Sequence, residues 1–211
     1  MAGNYEKKRK RFPLLRLIFL GLAVFACVRF GGEGIDRLAG MARVWIFGQT
    51  RMPEWVDIQL IEVDGASRSG IPLESVEDIV IHYVGNPGTT AQQNHDYYCN
   101  PESSVSSHFL VGLKGEIIQC VPLNEKSSAS NWRNSDTISI EVCHPDETGK
   151  FSKETYEALV KLTAWLLETG HMNESDLIRH YDITGKACPL YFVEHPESWD
   201  AFRQDVARAL P

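Results

Sequence analysis

Apolar positions along this chain recur with two periods, and the switch between them separates a strand-rich first part from a helix-rich second part. "WVDIQLIEV" (55–63) alternates as a half-buried strand does, and "ASRSGIP" then reads as a turn. "DIVIHYV" (78–84) is a β-branched run typical of a central strand, and "DTISIEVC" (136–143) is a second buried strand. "SSHFLVGLKGEIIQCVP" (106–122) breaks at "LKGE" into two strand-like halves and predicts a hairpin. Helical spacing takes over in "SKETYEALVKLTAWLLETG", where Ser152 can cap the start, Tyr156, Leu159, Val160, Thr163, Leu166 and Leu167 share a face, and Gly170 can close the end. "HPESWDAFRQDVARAL" places Pro196 at a helix start and Trp199, Phe202, Val206 and Leu210 on one stripe. "NPGTTAQQNHDYY" predicts a further helix beginning near Thr89 or Thr90. The fold class implied is α/β, a mixed central sheet flanked by helices.

Charge divides the chain differently. Residues 1–30 hold seven Lys/Arg and one acid, so of the chain's 21 basic and 28 acidic residues the remainder keeps 14 and 27, a formal charge of −13. An acidic body argues against a nucleic-acid partner, which needs a basic face. "KKRKR" (7–11) precedes the apolar run "LIFLGLAVFACV" (17–28), which is shorter than the roughly 20 residues that span a bilayer. Flanking residues extend it if Arg16 and Arg29 reach the interfaces, with the basic cluster left in the cytoplasm. Residues 1–30 therefore read as a basic segment and signal anchor, or alternatively as a cleaved signal peptide. Residues 31–56, mixing Gly, charge and a short amphipathic patch, read as a stem, and 57–211 as the globular domain, placed outside the membrane. The five cysteines are odd in number and contain no close pair, so they do not form a dense disulfide framework. Cys99 and Cys120 could pair; lone buried cysteines are the alternative.

Three residues have the chemistry of metal ligands: His82 at the end of a buried strand, His180 after the strand-like "DLIR", and Cys188 beyond a loop in which Gly185 permits a tight return. A metal site that does chemistry typically uses three protein ligands and keeps one position open. Spacing alone is also compatible with ordinary loop residues. Glu141 is the one acid inside "TISIEVC", on the face of Ser139 and Cys143, and a buried carboxylate is costly without a partner. It marks either a wet sheet face or a charged site; beside a metal it would be a general base. Lys186, between His180 and Cys188, would then be close enough to stabilise an oxyanion.

"DIVIHYVGNPG", "SSHFLVGLKGEIIQCVP", "DTISIEVCHPDETGKF" and "IRHYDITGKACP", in this order, resemble the zinc-dependent N-acetylmuramoyl-L-alanine amidases of the amidase-2 class, relatives of phage endolysins and peptidoglycan recognition proteins. The resemblance runs from about Ser67 to the C-terminus. It implies Zn2+ on His82, His180 and Cys188, with Glu141 and Lys186 catalytic. It also implies substrate contact at His108, and Asn131 is a further substrate-binding candidate among the loop residues Tyr97, Tyr98, Trp132 and Arg133. The implied reaction is hydrolysis of the amide between N-acetylmuramic acid and L-alanine in peptidoglycan, acting in wall remodelling or lysis. Two rival readings stand beside it: a muropeptide-binding module of the same fold that does not cut, and a structural zinc site completed by His95 or His144.

Overall fold

A computed structural model describes residues 35–63 and 66–210 of the chain. The basic segment and anchor or signal read over 1–30 lie outside the described residues. Among those described, no helix is long and apolar enough to cross a membrane. The chain divides into two compact units, Met1–Ala39 and Gly40–Pro211. Of the first, residues 35–39 are described, and they are helical.

The second unit is built on six strands: β1 (Asp57–Ile58), β2 (Asp78–Tyr83), β3 (Phe109–Val111), β4 (Ile117–Gln119), β5 (Thr137–Val142) and β6 (Leu177–Arg179). Their order in the sheet is β1-β4-β3-β5-β2-β6. Only the β3–β4 hairpin is antiparallel; β5 and β6 flank β2 in parallel. A parallel sheet needs both faces covered, and β2 and β5 are buried along nearly their whole length, although β5 alternates Ile and Val with Thr137, Ser139 and Glu141. Of the predicted strand 55–63 only Asp57–Ile58 forms a ladder, at the sheet edge. The strand's backbone still donates from Gln59 and Ile61 to the carbonyls of Gln119 and Cys120, at 3.0 and 2.9 Å.

Ile79, Ile81, Phe109, Val111, Ile138, Ile140 and Val142 face one side of the sheet and form the main core with three helices. These are α3 (Lys153–Gly170), α5 (Leu190–Glu194) and α6 (Pro196–Ala209). The α3 stripe puts Leu159, Leu162, Leu166 and Leu167 wholly out of water, each contributing about 1.5–3 kcal/mol of burial. Ser152 caps α3 as expected, its Oγ accepting from the Thr155 amide at 3.1 Å. The left-handed residue that ends α3 is His171, φ 51°, one position beyond Gly170. Gly170 is instead a close-approach glycine: a Cβ there would lie 3.0 Å from the Phe47 ring and from the Met172 sulfur.

Phe47 belongs to a helix, α1, covering residues 35–49. The sequence assigned residues 31–56 to a stem and began the domain at 57, and the structure corrects that boundary. Phe47 is buried in the main core and Val56 with it, while Arg43 donates to the carbonyls of Gly170 and Val76 at 3.1 and 3.0 Å. Gly, charge and a short apolar patch disguise this segment, because only one helical face meets the body.

The opposite sheet face carries a smaller cluster of Ile61, Ala91, Tyr98, Leu110, Ile118, Cys120, Val121 and Cys143, covered by α2 (Ala91–Tyr98). Thr90 caps α2 reciprocally with Gln93. The carboxyl ends of β2 and β5 are the place where open α/β sheets hold their ligands.

Candidate metal and catalytic site

Register brings the first two groups together. His82 on β2 is the direct partner of Glu141 on β5, so both side chains emerge on the α2 face, and His82 Nδ1 lies 3.8 Å from Glu141 Oε1. The third and fourth groups arrive from the other neighbour of β2. After β6 the chain turns at once into α4 (His180–Thr184), and Asp182 anchors its start by accepting from the Arg179 amide at 2.8 Å. Gly185, φ 75°, ends α4 in the left-handed region, and the loop closes when the Tyr181 amide donates to the Cys188 carbonyl at 2.9 Å. That closure returns Cys188 to within 3.9 Å, Sγ to Nδ1, of His82. The sequence had placed a loop between His180 and Cys188; a short helix presents His180 from its first residue.

Ligand atoms of His82, His180 and Cys188 all lie within 4.8 Å of one another, and the three side chains are buried. The two imidazole rings sit 4.6 Å apart, centre to centre. Burial, with His180 and Lys186 nearby, holds His82 well below its ordinary pKa, and burial and Lys186 lower His180 in the same way. Both imidazoles are thus neutral and able to donate a lone pair. Burial, reinforced by Glu141, pushes the Cys188 thiol up to about 12. A cation among these donors is what would favour its thiolate. His180 Nδ1 and Glu141 Oε2 are buried without a hydrogen-bond partner. Orphaned polar atoms converging on two nitrogens and a sulfur fit a borderline-soft divalent ion with a position left open.

Glu141 is pushed up to about 8 by burial, opposed by the charge of Lys186. Its carboxyl therefore gains and loses its proton near neutral pH rather than in the ordinary carboxylate range. Lys186 is solvent-exposed, and its charge is felt at His82, His180 and Glu141.

Two expected substrate contacts are placed differently. His108 is fully buried; its Nε2 donates to the Glu125 carbonyl at 2.9 Å and its Nδ1 accepts from the Ser139 amide at 3.0 Å. With both nitrogens engaged, its ring supports the strand beneath the site and offers nothing to a substrate. Asn131 lies at the rim with its Oδ1 2.7 Å from His180 Nε2. Ser130, which the sequence reading passed over, is buried with its Oγ 3.3 Å from His82 Nε2. No periodicity marks this serine; its adjacency to Asn131 in "SASNWRN" was the one available signal.

Among the other loop residues, Trp132 and Tyr97 are exposed, Tyr98 is buried, and Arg133 bridges Asp136 and Asp78. His95 and His144 do not complete a four-ligand site. Neither has a ligand atom in the 4.8 Å group: His95 Nε2 is held by the Gln59 carbonyl at 2.7 Å, and His144, whose Nδ1 is held by the Asp146 carbonyl at 2.8 Å, keeps its Nε2 buried and unpartnered outside that group. Among the described residues the gathered group is His82, His180 and Cys188 alone.

Comparison with known proteins meets this geometry from outside. The profile of the family Amidase_2, described as N-acetylmuramoyl-L-alanine amidase, matches residues 72–190. The N-acetylmuramoyl-L-alanine amidase CwlL of Bacillus licheniformis is 28% identical over 167 residues, 71% of this chain and 46% of CwlL. BlyA of Bacillus subtilis, of the same name, is 30% identical over 69% of this chain and 45% of its own length. The chain thus spans about half the length of the curated relatives it matches. The catalytic domain of XlyA superposes with a TM-score of 0.63 at 27% identity, covering 72% of this chain and 98% of that domain.

Proposed function

Since the chain belongs to the N-acetylmuramoyl-L-alanine amidase family Amidase_2, we propose that it is a zinc-dependent amidase that cuts the bond between the lactyl group of N-acetylmuramic acid and L-alanine in peptidoglycan. The observation that carries this is the convergence of His82, His180 and Cys188 ligand atoms within 4.8 Å beside the unpaired carboxylate of Glu141. A structural site would close with a fourth protein ligand, and among the described residues neither His95 nor His144 joins the gathered group.

His82, His180 and Cys188 would hold the ion. When bound, zinc supplies Lewis acidity that lowers the pKa of water and polarises a carbonyl. Glu141 Oε2 takes the proton from the attacking water and passes it to the departing L-alanine amine, so that a glycan strand and a stem peptide leave. Lys186 contributes positive charge beside the oxyanion that develops on the carbonyl. The buried walls of β2 and β5 keep bulk water from competing for these charges.

The domain assignment belongs to the same proposal: a basic segment with a signal anchor or signal peptide over 1–30, a short stem, and a catalytic body working on the extracytoplasmic side. Composition supports it, through the basic block before an apolar run.

The test is release of free L-alanine amino termini from purified peptidoglycan, with zinc quantified in the same sample. Wild type is expected to carry about one zinc per chain and to cut. Glu141→Gln is expected to keep the zinc and to lose about 10²–10⁴-fold in kcat. Full zinc occupancy with no cutting of any muropeptide by wild type would sink the enzyme reading in favour of a binding module.

A further inference from the structure

Each histidine of the cluster has its second ring nitrogen occupied, and both occupants come from one turn. Ser130 Oγ lies 3.3 Å from His82 Nε2, and Asn131 Oδ1 lies 2.7 Å from His180 Nε2. A carboxamide oxygen can only accept, so His180 carries its hydrogen on Nε2 and keeps the lone pair on Nδ1. Nδ1 is the atom left buried without a protein partner. On His82, likewise, Nδ1 is the nitrogen turned toward Cys188 Sγ, at 3.9 Å, while Nε2 faces Ser130.

The turn is itself fixed by several contacts. Asn131 sits at φ 55°, in the left-handed region that asparagine adopts more readily than most residues with a side chain. Asn134 Oδ1 accepts from the Ala129 and Ser130 amides at 3.1 and 2.6 Å. Arg133 binds Asp136 at 2.8 Å and Asp78 at 2.5 Å, and Asp78 is the first residue of β2, the strand that ends in the His82 pair. The turn is therefore pinned to the element carrying one ligand while its side chains reach both.

We propose that the turn Ser130–Asn134 sets the tautomer and ring orientation of both ligand histidines, with Asn131 and Ser130 as positioning residues that present two Nδ1 lone pairs to the metal. This rests on the metal reading of the preceding section and moves Asn131 from substrate contact to ligand support. Partners of this kind fix ligand rings and raise their basicity, and losing one typically costs about 10–100-fold in metal affinity.

The experiment has two readouts, neither of which is activity. Zinc affinity is measured by competition with a chromophoric chelator, and the tautomers of the histidine rings are read by ¹⁵N NMR on metal-free protein. Asn131→Gly removes the side chain without backbone strain at this φ, and Asn131→Asp keeps an acceptor at the same reach. The expected result is His180 as the Nε2–H tautomer in the parent. Asn131→Gly should lose that single tautomer and bind zinc about 10–100-fold more weakly. Asn131→Asp should stay within a few-fold of the parent, and Trp132→Ala, changing an exposed neighbour, should match it. Parent-like zinc affinity in Asn131→Gly overturns the inference, as does an Asp variant as weak as the Gly variant. A parent with His180 as the Nδ1–H tautomer overturns it without any variant. A parent that binds no zinc overturns the metal reading itself and this inference with it, an outcome distinct from the others.

Discussion

His108 shows how one buried ring can be tied to the stability of the whole chain. Its Nδ1 already accepts a hydrogen from the Ser139 amide, so a second proton on the ring would face a donor with a donor. Burial, the larger cause, holds its pKa at about 4 against an ordinary 6.5, although the Glu125 carbonyl pulls the other way. Because the folded value is depressed, the unfolded chain binds the proton first as pH falls. The contribution of neutral His108 is complete above about pH 6.5 and is lost progressively down to pH 4, about 3 kcal/mol in all. Denaturant unfolding of the parent between pH 7 and 4 should show that loss, and His108→Asn should flatten it. An equally steep profile in the variant would place the titration elsewhere. His108, just before β3, and Glu141, inside β5, are both buried polar residues beside apolar ones, yet one is fully paired and the other has an oxygen without a partner. That difference fits the supporting place of His108 and the proton-transfer role proposed for Glu141.

Elements decide what residues cannot. The helix α1 reaches the core through Phe47, which meets Gly170 at the end of α3 where no Cβ would fit comfortably. Phe47→Ala should therefore cost about 3–5 kcal/mol in denaturant unfolding, the range for truncating a buried aromatic. A change under about 0.5 kcal/mol would return residues 40–49 to the status of a stem. The loop between β6 and α5 makes a related point. Its helical first turn and its left-handed Gly185 are what bring Cys188 back to His82, and neither histidine nor cysteine encodes that return.

For the whole molecule, function follows from unequal covering of one sheet. Helices α1, α3, α5 and α6 contribute to the larger core on the first face, whereas the second carries a smaller cluster with α2, and His82 and Glu141 lie on that second face towards the carboxyl ends of β2 and β5. The acidic body and the basic segment of 1–30 give the chain a pronounced charge asymmetry. Under the proposed extracytoplasmic role, the full chain should fractionate with membranes when produced in a bacterial cell, and deletion of residues 1–30 should leave it in the cytosol. A full chain found wholly in the cytosol would remove the anchor and signal readings together.

Periodicity and composition were enough for the α/β class, the β2 and β5 strands, the hairpin, and the start of α3 at Ser152, because burial on a sheet face or helix stripe writes itself into local spacing. Residue chemistry made His82, Glu141, His180 and Cys188 candidates only, since the same spacing suits ordinary loop residues and a wet sheet face, and it was the resemblance of four ordered motifs to a family that grouped them. Three-dimensional packing had to supply the rest. Whether His108 faced a substrate or Ser139, whether residues 40–56 were stem or core, and that Ser130 and Asn131 back the two histidines all depend on contacts between segments far apart in the chain. Such contacts leave no period behind, because each is a single approach of two surfaces rather than a repeated demand on one.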